Sequence, residues 1–478
     1  MVAIFAAWNA LCICLGVRID AGGFHSGWHF VDPELLKSHL WESLYYLHSQ
    51  PPGYNLLIGI VLKLFPSSYL AVFQAIYVVI GAVLYLATYA LMRKLGVDLK
   101  PAFILSTVFM MSPAYVAFEA WLFYTFPVAC LLVLSALSLI YYFETSRAVY
   151  VAAFNACLFC VCMMNAMFHL VFYAAIVTWL VLAMPKCRRQ TLATACLPLV
   201  LICAVYFKNY KLTGMFTSST WIGLNVASNR TNNVPIAERE ELVREGKLTK
   251  VSLVEPASDP LSFPQQYFVN TSGITFPGWA ALRNQDGSPN RNQFGFVQVS
   301  RDYMRDTMFL LRHQPRYFVH GIVDSVYHYF MPPLVSGTGF YKEGAKLKGM
   351  AWLYAIYDSV DRRLVIHRGG GDPMVLFPVL IIYLLSTLVW SCKLAFSRVA
   401  AGSNLTESRR RTVQYMCFII GFVMVVGWLN AVENNRMRFS TDPLSVVLFG
   451  LCCKSIQASI QARTTPRTRE TVSAAAAT

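Results

Sequence analysis

Long apolar runs, separated by short polar breaks, set the pattern of this chain. The first covers 1–17, and the last before a polar tail covers 443–453. Between them lie uninterrupted apolar runs at 67–92, 101–117, 127–143, 148–164, 168–184, 191–207, 373–394 and 413–429. A helix crossing a bilayer needs roughly 20 apolar residues. The pattern therefore predicts an all-α polytopic membrane protein of about ten spans, with 1–17 a short, uncleaved first span. The stretch 53–65 is apolar but shorter and broken by Lys63, so it is expected to rest in the outer interface as a juxtamembrane helix.

The polar breaks alternate in kind. Arg93, Lys94 and Lys100, then Arg147, then Lys186, Arg188 and Arg189, then the basic 393–411 loop fall on one side, which positive charge marks as cytoplasmic. The other breaks hold acids, aromatics, asparagine and histidine. Both termini are then cytoplasmic. The division expected is a membrane module over 1–207 with its first outer loop at 18–66, and a long lumenal or periplasmic polar region over 208–371. Terminal spans over 372–456 and a disordered basic tail over 457–478 complete it.

Composition agrees. Only 14% of the 478 residues are charged and 56% are hydrophobic, against roughly 25% charged in soluble domains. The net charge of +15 is accounted for in large part by the cations flanking the spans, so no nucleic-acid partner is implied. The 13 cysteines lie mostly inside apolar runs and form no repeated CxxC pair, which argues packing rather than zinc or a disulfide framework.

Candidate chemistry gathers on the outer side. The stretch D-P-E-L-L-K-S-H-L-W-E-S-L-Y-Y-L-H-S-Q-P-P-G-Y-N (32–55) carries Asp32, Glu34, His48 and Tyr54. Glu119 and Tyr124 stand at the next outer turn, Asn165 and His169 at a third, and Glu433, Asn435, Arg436 and Arg438 at a fourth. Ionisable groups at that depth are costly, so they tend to face a protein interior or wet cavity. Each has a plainer reading. Asp32 precedes Pro33 and suits a helix N-cap, a role compatible with catalysis. Glu119 can belong to an interfacial aromatic belt, and Glu433 can pair with Arg436 at i,i+3. His25, His29 and His39 with Asp32 lack a convincing ligand pattern, so solvated histidines and no metal are expected.

These outer motifs resemble the GT-C superfamily of membrane glycosyltransferases, in particular the protein O-mannosyltransferase and aminoarabinose transferase-like branch. The resemblance rests on the first-loop acid followed by H-S-Q-P-P-G-Y-N-L-L, on S-P-A-Y-V-A-F-E-A-W-L-F-Y-T-F-P (112–127), and on E-N-N-R-M-R-F-S-T-D-P (433–443). The chain departs from the family at Gly53, where leucine is common, and at Asn165, where an arginine is expected. The resemblance implies a GT-C-like helix bundle that moves a sugar from a polyprenyl-phosphate carrier to an acceptor hydroxyl at the lumenal or periplasmic face. It implies Asp32 as the base, with Glu34 and Glu119 as second choices. Arg436 and Arg438, with His48, Lys63 and His169, would hold the donor phosphate, and Tyr54, Tyr124, Glu433 and Asn435 would line the substrate. Neither cofactor nor metal is implied. The partners implied are the lipid-linked donor, membrane lipid and an acceptor of unspecified class. A transporter or anionic-lipid-binding protein without catalysis is the alternative, but the mid-span stretches carry few of the polar residues that transport would require. An inactive relative is a further one.

Overall fold

The computed structural model describes residues 1–26, 29–228, 230–231, 233–269, 273–330, 366–368, 374–376, 378–396, 405–429 and 434–464. Each of the ten apolar runs coincides with helix over most of its described length, so the sequence pattern located the helices; the run 373–394 also takes in the short strand Met374–Leu376. The helices are α1 (Val2–Cys14), α6 (Tyr69–Leu95), α7 (Leu99–Met110) with α8 (Pro113–Glu119), α9 (Thr125–Thr145), α10 (Ala148–Met164), α11 (Leu170–Ala183), α12 (Arg188–Thr213), α18 (Pro378–Phe396), α19 (Glu407–Trp428) and α21 (Asp442–Thr464). Among the described residues five helices are long and apolar enough to cross alone, and a sixth span arises if α7 and α8 count together. α1, α10, α11 and the described part of α18 are shorter. The protein is an integral membrane protein, and its described residues form helices apart from one hairpin of three-residue strands, Ile366–Arg368 and Met374–Leu376.

Local chemistry explains the ends. α6 stops at Gly96, whose φ of 95° is left-handed, and Arg93 and Lys94 sit in its last turn, where cations favour the helix dipole. The span containing α7 and α8 bends by 58°. The bend falls where Ser112 caps a new helix, accepting from the Tyr115 N–H at 3.3 Å, with Pro113 as its first residue. α9 is buried over most of its length and packs between α6 and α10, so it is the centre of the bundle.

One close contact in the bundle is specific. Gly81 of α6 lies against Glu119, and a Cβ built there would collide with the Glu119 Oε1 and stand 3.2 Å from the Phe5 ring. Gly81→Ala should therefore destabilise the protein by about 1–3 kcal/mol, the usual scale of overpacking. A lowered melting temperature in detergent, recovered in Gly81→Ala/Glu119→Ala, is the expected result. An unchanged melting temperature in the single variant would show that the contact yields freely.

The 208–371 region has structure of its own. Its described part folds into α13 (Ile222–Ser228), α14 (Ile236–Arg244), α15 (Pro277–Ala280), α16 (Gly295–His313) and α17 (Pro315–Tyr329). These enclose a core of Trp221, Leu224, Val251, Phe263, Phe268, Phe296 and Tyr303. α16 presents Phe296, Val299, Tyr303 and Leu310 inward and Arg301, Arg305 and Arg312 outward, the 3.6-residue alternation of an amphipathic helix. The core is small, and this cap is fixed by polar ties to the membrane module.

Candidate active site

The first polar loop folds as α2 (Gly23–Ser26), α3 (Pro33–Ser38), α4 (Leu40–Tyr46) and α5 (Gly53–Leu64). Asp32 caps α3: its Oδ1 accepts from the Glu34 N–H at 2.9 Å, with Pro33 as the first helical residue. Its Oδ2 accepts from the Gln285 N–H of the cap at 2.8 Å. The side chain is 5% exposed. Each carboxylate oxygen has a second acceptor direction, so two backbone donors orient this group without exhausting it.

His48 ties the same loop to the cap. Its Nε2 meets the Asn292 carbonyl at 2.8 Å and its Nδ1 the Thr220 hydroxyl at 2.7 Å. The Asn292 Oδ1 accepts from the backbone N–H groups of both His48 and Ser49. Burial, with the Lys208 ammonium adding to it, lowers the His48 pKa to about 3, so the ring is neutral. A neutral Nε2–H donating to the carbonyl and Nδ1 accepting from Thr220 satisfies both nitrogens. The expected phosphate contact at His48 is thus replaced by a structural one.

The second outer turn is pinned to the start of the loop. The Asp20 N–H donates to the Ala120 carbonyl at 2.6 Å, and the Leu122 N–H donates to the Asp20 carbonyl at 2.9 Å. This sets the rings of Trp121, Phe123 and Tyr124 side by side, Trp121 and Phe123 stacked at 4.2 Å. Over them lies Arg436, whose guanidinium carbon is 4.6 Å from the Phe123 ring centre, 5.8 Å from Tyr124 and 5.9 Å from Trp121. Its Nη1 stands 3.5 Å from the Tyr124 hydroxyl. Arg436 is 8% exposed. Aromatic faces stabilise a guanidinium through its charge and its planar surface.

Arg436 belongs to α20 (Asn434–Phe439), and the cap holds that helix too. The Asn434 Nδ2 donates to the Ser325 carbonyl of α17 at 3.0 Å. Arg438 donates from Nη1 to the Tyr329 carbonyl at 2.5 Å and from Nε to Asp442 Oδ1 at 3.2 Å. Arg438 is therefore a structural cation between α17 and α21, and the phosphate contact expected of it is replaced by these ties. Asn435 is buried, and its Oδ1 accepts from the Arg436 N–H at 2.9 Å. Glu433 lies outside the described residues.

The other expected residues separate. Tyr54 is buried, sharing a 2.8 Å hydrogen bond with Tyr77, and its ring backs Tyr124 at 5.9 Å. It supports the aromatic wall, and its hydroxyl is already engaged. Glu34 is half-exposed and paired with Lys37. Glu119 is buried among Gly81, Phe5 and Asn9 of α6 and α1, away from the Arg436 cluster. Lys63 is exposed in the last turn of α5, nine residues or about 13 Å along the helix from Tyr54. His169 caps α11 by accepting from the Phe172 N–H and rests on Phe422. Gly53 has a steric reason for replacing leucine: a Cβ there would lie 2.7 Å from Met163 Cβ and 2.8 Å from its carbonyl oxygen. Among the described residues no group of three or more His, Cys, Asp or Glu is placed to hold a metal ion.

Sequence reasoning missed His29. It is half-buried rather than freely solvated: its ring meets Phe123 at 5.0 Å and Tyr124 at 5.4 Å, edge to face. Asn55 donates to its carbonyl at 2.9 Å and accepts from the Val31 N–H at 3.0 Å, fixing the approach to Asp32. Burial, with Arg436 close by, lowers the His29 pKa to about 3. The available signal was its setting, W-H-F-V-D, an imidazole among apolar residues just before a capping acid.

No family model matches the chain, and no curated protein matches it. Among solved structures it is similar to ArnT from Cupriavidus metallidurans, determined bound to undecaprenyl phosphate. The match spans 96% of this chain and 78% of that one, at 13% identity and a TM-score of 0.36. At that distance no residue role passes from one chain to the other.

Proposed function

We propose that the protein transfers a sugar from a polyprenyl-phosphate carrier to an acceptor hydroxyl, with inversion, at the end of the bundle where Arg436 lies. The observation that carries this reading is a guanidinium enclosed by Trp121, Phe123 and Tyr124, at a turn set beside the Asp32 loop by Asp20, Asn55 and the cap. A fixed, partly desolvated arginine fork suits the oxygens of a leaving phosphate. In the reaction the acceptor oxygen bonds to the anomeric carbon as the bond from that carbon to the phosphate oxygen breaks. Asp32 takes the hydroxyl proton, and polyprenyl phosphate leaves with the bonding pair, its charge facing Arg436. The first-loop motifs support this reading, as does the placement of Asp32 and Arg436 on different elements, the start of α3 and α20.

The test is binding of polyprenyl phosphate to the purified full-length protein, with the corresponding polyprenol as control. At least tenfold tighter binding of the phosphate form, and transfer from the sugar-loaded form, are expected. Equal affinity for the two lipids would remove the phosphate site and the reading with it.

A further inference from the structure

Resting on that reading, we infer that His29 is a second ligand of the donor phosphate, a neutral hydrogen-bonding group that acts beside Arg436. Three observations converge. The His29 Nδ1 is shut off from solvent and has no hydrogen-bond partner among the described residues. A buried polar atom left in that state costs on the order of 1–3 kcal/mol, so such atoms tend to mark a place where a ligand completes the site. The ring lies edge-on to Phe123 and Tyr124, the same two rings over which the Arg436 guanidinium is set. The imidazole and the guanidinium therefore share one aromatic wall.

The third observation is electrostatic. The groups around the ring are Arg436 of α20, the Tyr124 hydroxyl side chain before α9, and Gln50 of the first loop, which is within hydrogen-bond reach of the imidazole. Of these only Arg436 carries full charge, and with burial it keeps His29 neutral. Two cations so close would repel one another in the free protein. A neutral imidazole avoids that repulsion while retaining one N–H to donate. Bound phosphate reverses the local field: its oxygens accept from the guanidinium and from the imidazole N–H together. The backbone of His29 is already fixed by Asn55, so little ordering remains to be done when the donor arrives.

Polyprenyl-phosphate affinity is the readout, measured on full-length wild type, His29→Gln, His29→Ala and Arg436→Ala, with melting temperatures alongside. His29→Ala should bind polyprenyl phosphate about 10-fold more weakly, with polyprenol binding unchanged. His29→Gln retains a side-chain N–H of similar reach and should recover most of that loss. Wild-type affinity for the phosphate in His29→Ala, with Arg436→Ala defective, overturns the role of His29 and leaves the functional reading standing. Equal loss of both lipids in His29→Ala and His29→Gln also overturns it, since the ring would then merely support the wall. A wild-type protein that binds both lipids equally overturns this inference and the functional reading together.

Discussion

Arg436→Ala should weaken polyprenyl-phosphate binding by about 10- to 100-fold while leaving polyprenol binding intact. Hydrogen bonds to charged groups contribute roughly 1.5–3 kcal/mol, and each 1.4 kcal/mol is about tenfold in affinity. Arg436→Lys keeps the charge and loses the planar fork, so an intermediate loss is expected. Arg438→Ala gives the contrast. That arginine joins the Tyr329 carbonyl to Asp442 and is 2% exposed. Breaking one side of a buried ion pair typically costs on the order of 3–5 kcal/mol, so Arg438→Ala should lower the melting temperature without a preference between the two lipids. Donor-selective loss in Arg438→Ala, and none in Arg436→Ala, would exchange the two assignments.

The same pair of arginines shows what the sequence could and could not convey. Residues two apart on a helix do not share a face, so Arg436 and Arg438 could have been separated by spacing alone. Asp32 and Glu34 follow the same logic: the cap turns inward and Glu34, in the first turn, reaches Lys37 outside. The apolar runs were legible because each is a local signal, and α10 matches its predicted limits, 148–164. The Ser112–Pro113 break was legible in principle as a cap followed by a first-turn proline.

The fold of the cap was not legible, since its core joins residues far apart, such as Trp221 and Phe296. Its function as a brace was equally hidden. Gln285 and Asn292 reach the first loop from more than two hundred residues away, and Ser325 and Tyr329 reach α20 from more than one hundred. The polar region thus holds both halves of the candidate site. Burial of His48 depends on those same long-range contacts, and that of His29 on the Phe123 and Tyr124 rings of the next outer turn, which is why both had seemed available to solvent or ligand.

Asp32→Asn should leave donor binding near wild type and cut transfer by roughly 10²–10⁴-fold, the usual contribution of a general base. Asparagine caps helices about as well as aspartate, so an amide oxygen in the Oδ1 position still accepts from the Glu34 N–H. The amide nitrogen then faces the Gln285 N–H, where Oδ2 now accepts at 2.8 Å. One buried donor loses its partner, at a cost of about 1–3 kcal/mol, and a modest fall in melting temperature is expected. Asp32→Ala loses the cap as well, roughly another 0.5–2 kcal/mol, so its inactivity alone would not separate catalysis from folding. The asparagine variant does separate them. If Asp32 serves only as a cap and a tie to Gln285, Asp32→Asn transfers sugar within threefold of wild type once corrected for folded protein. If the carboxylate takes the acceptor proton, transfer collapses in a protein that still folds and still binds polyprenyl phosphate, because the amide that replaces it keeps the shape and cannot accept the proton.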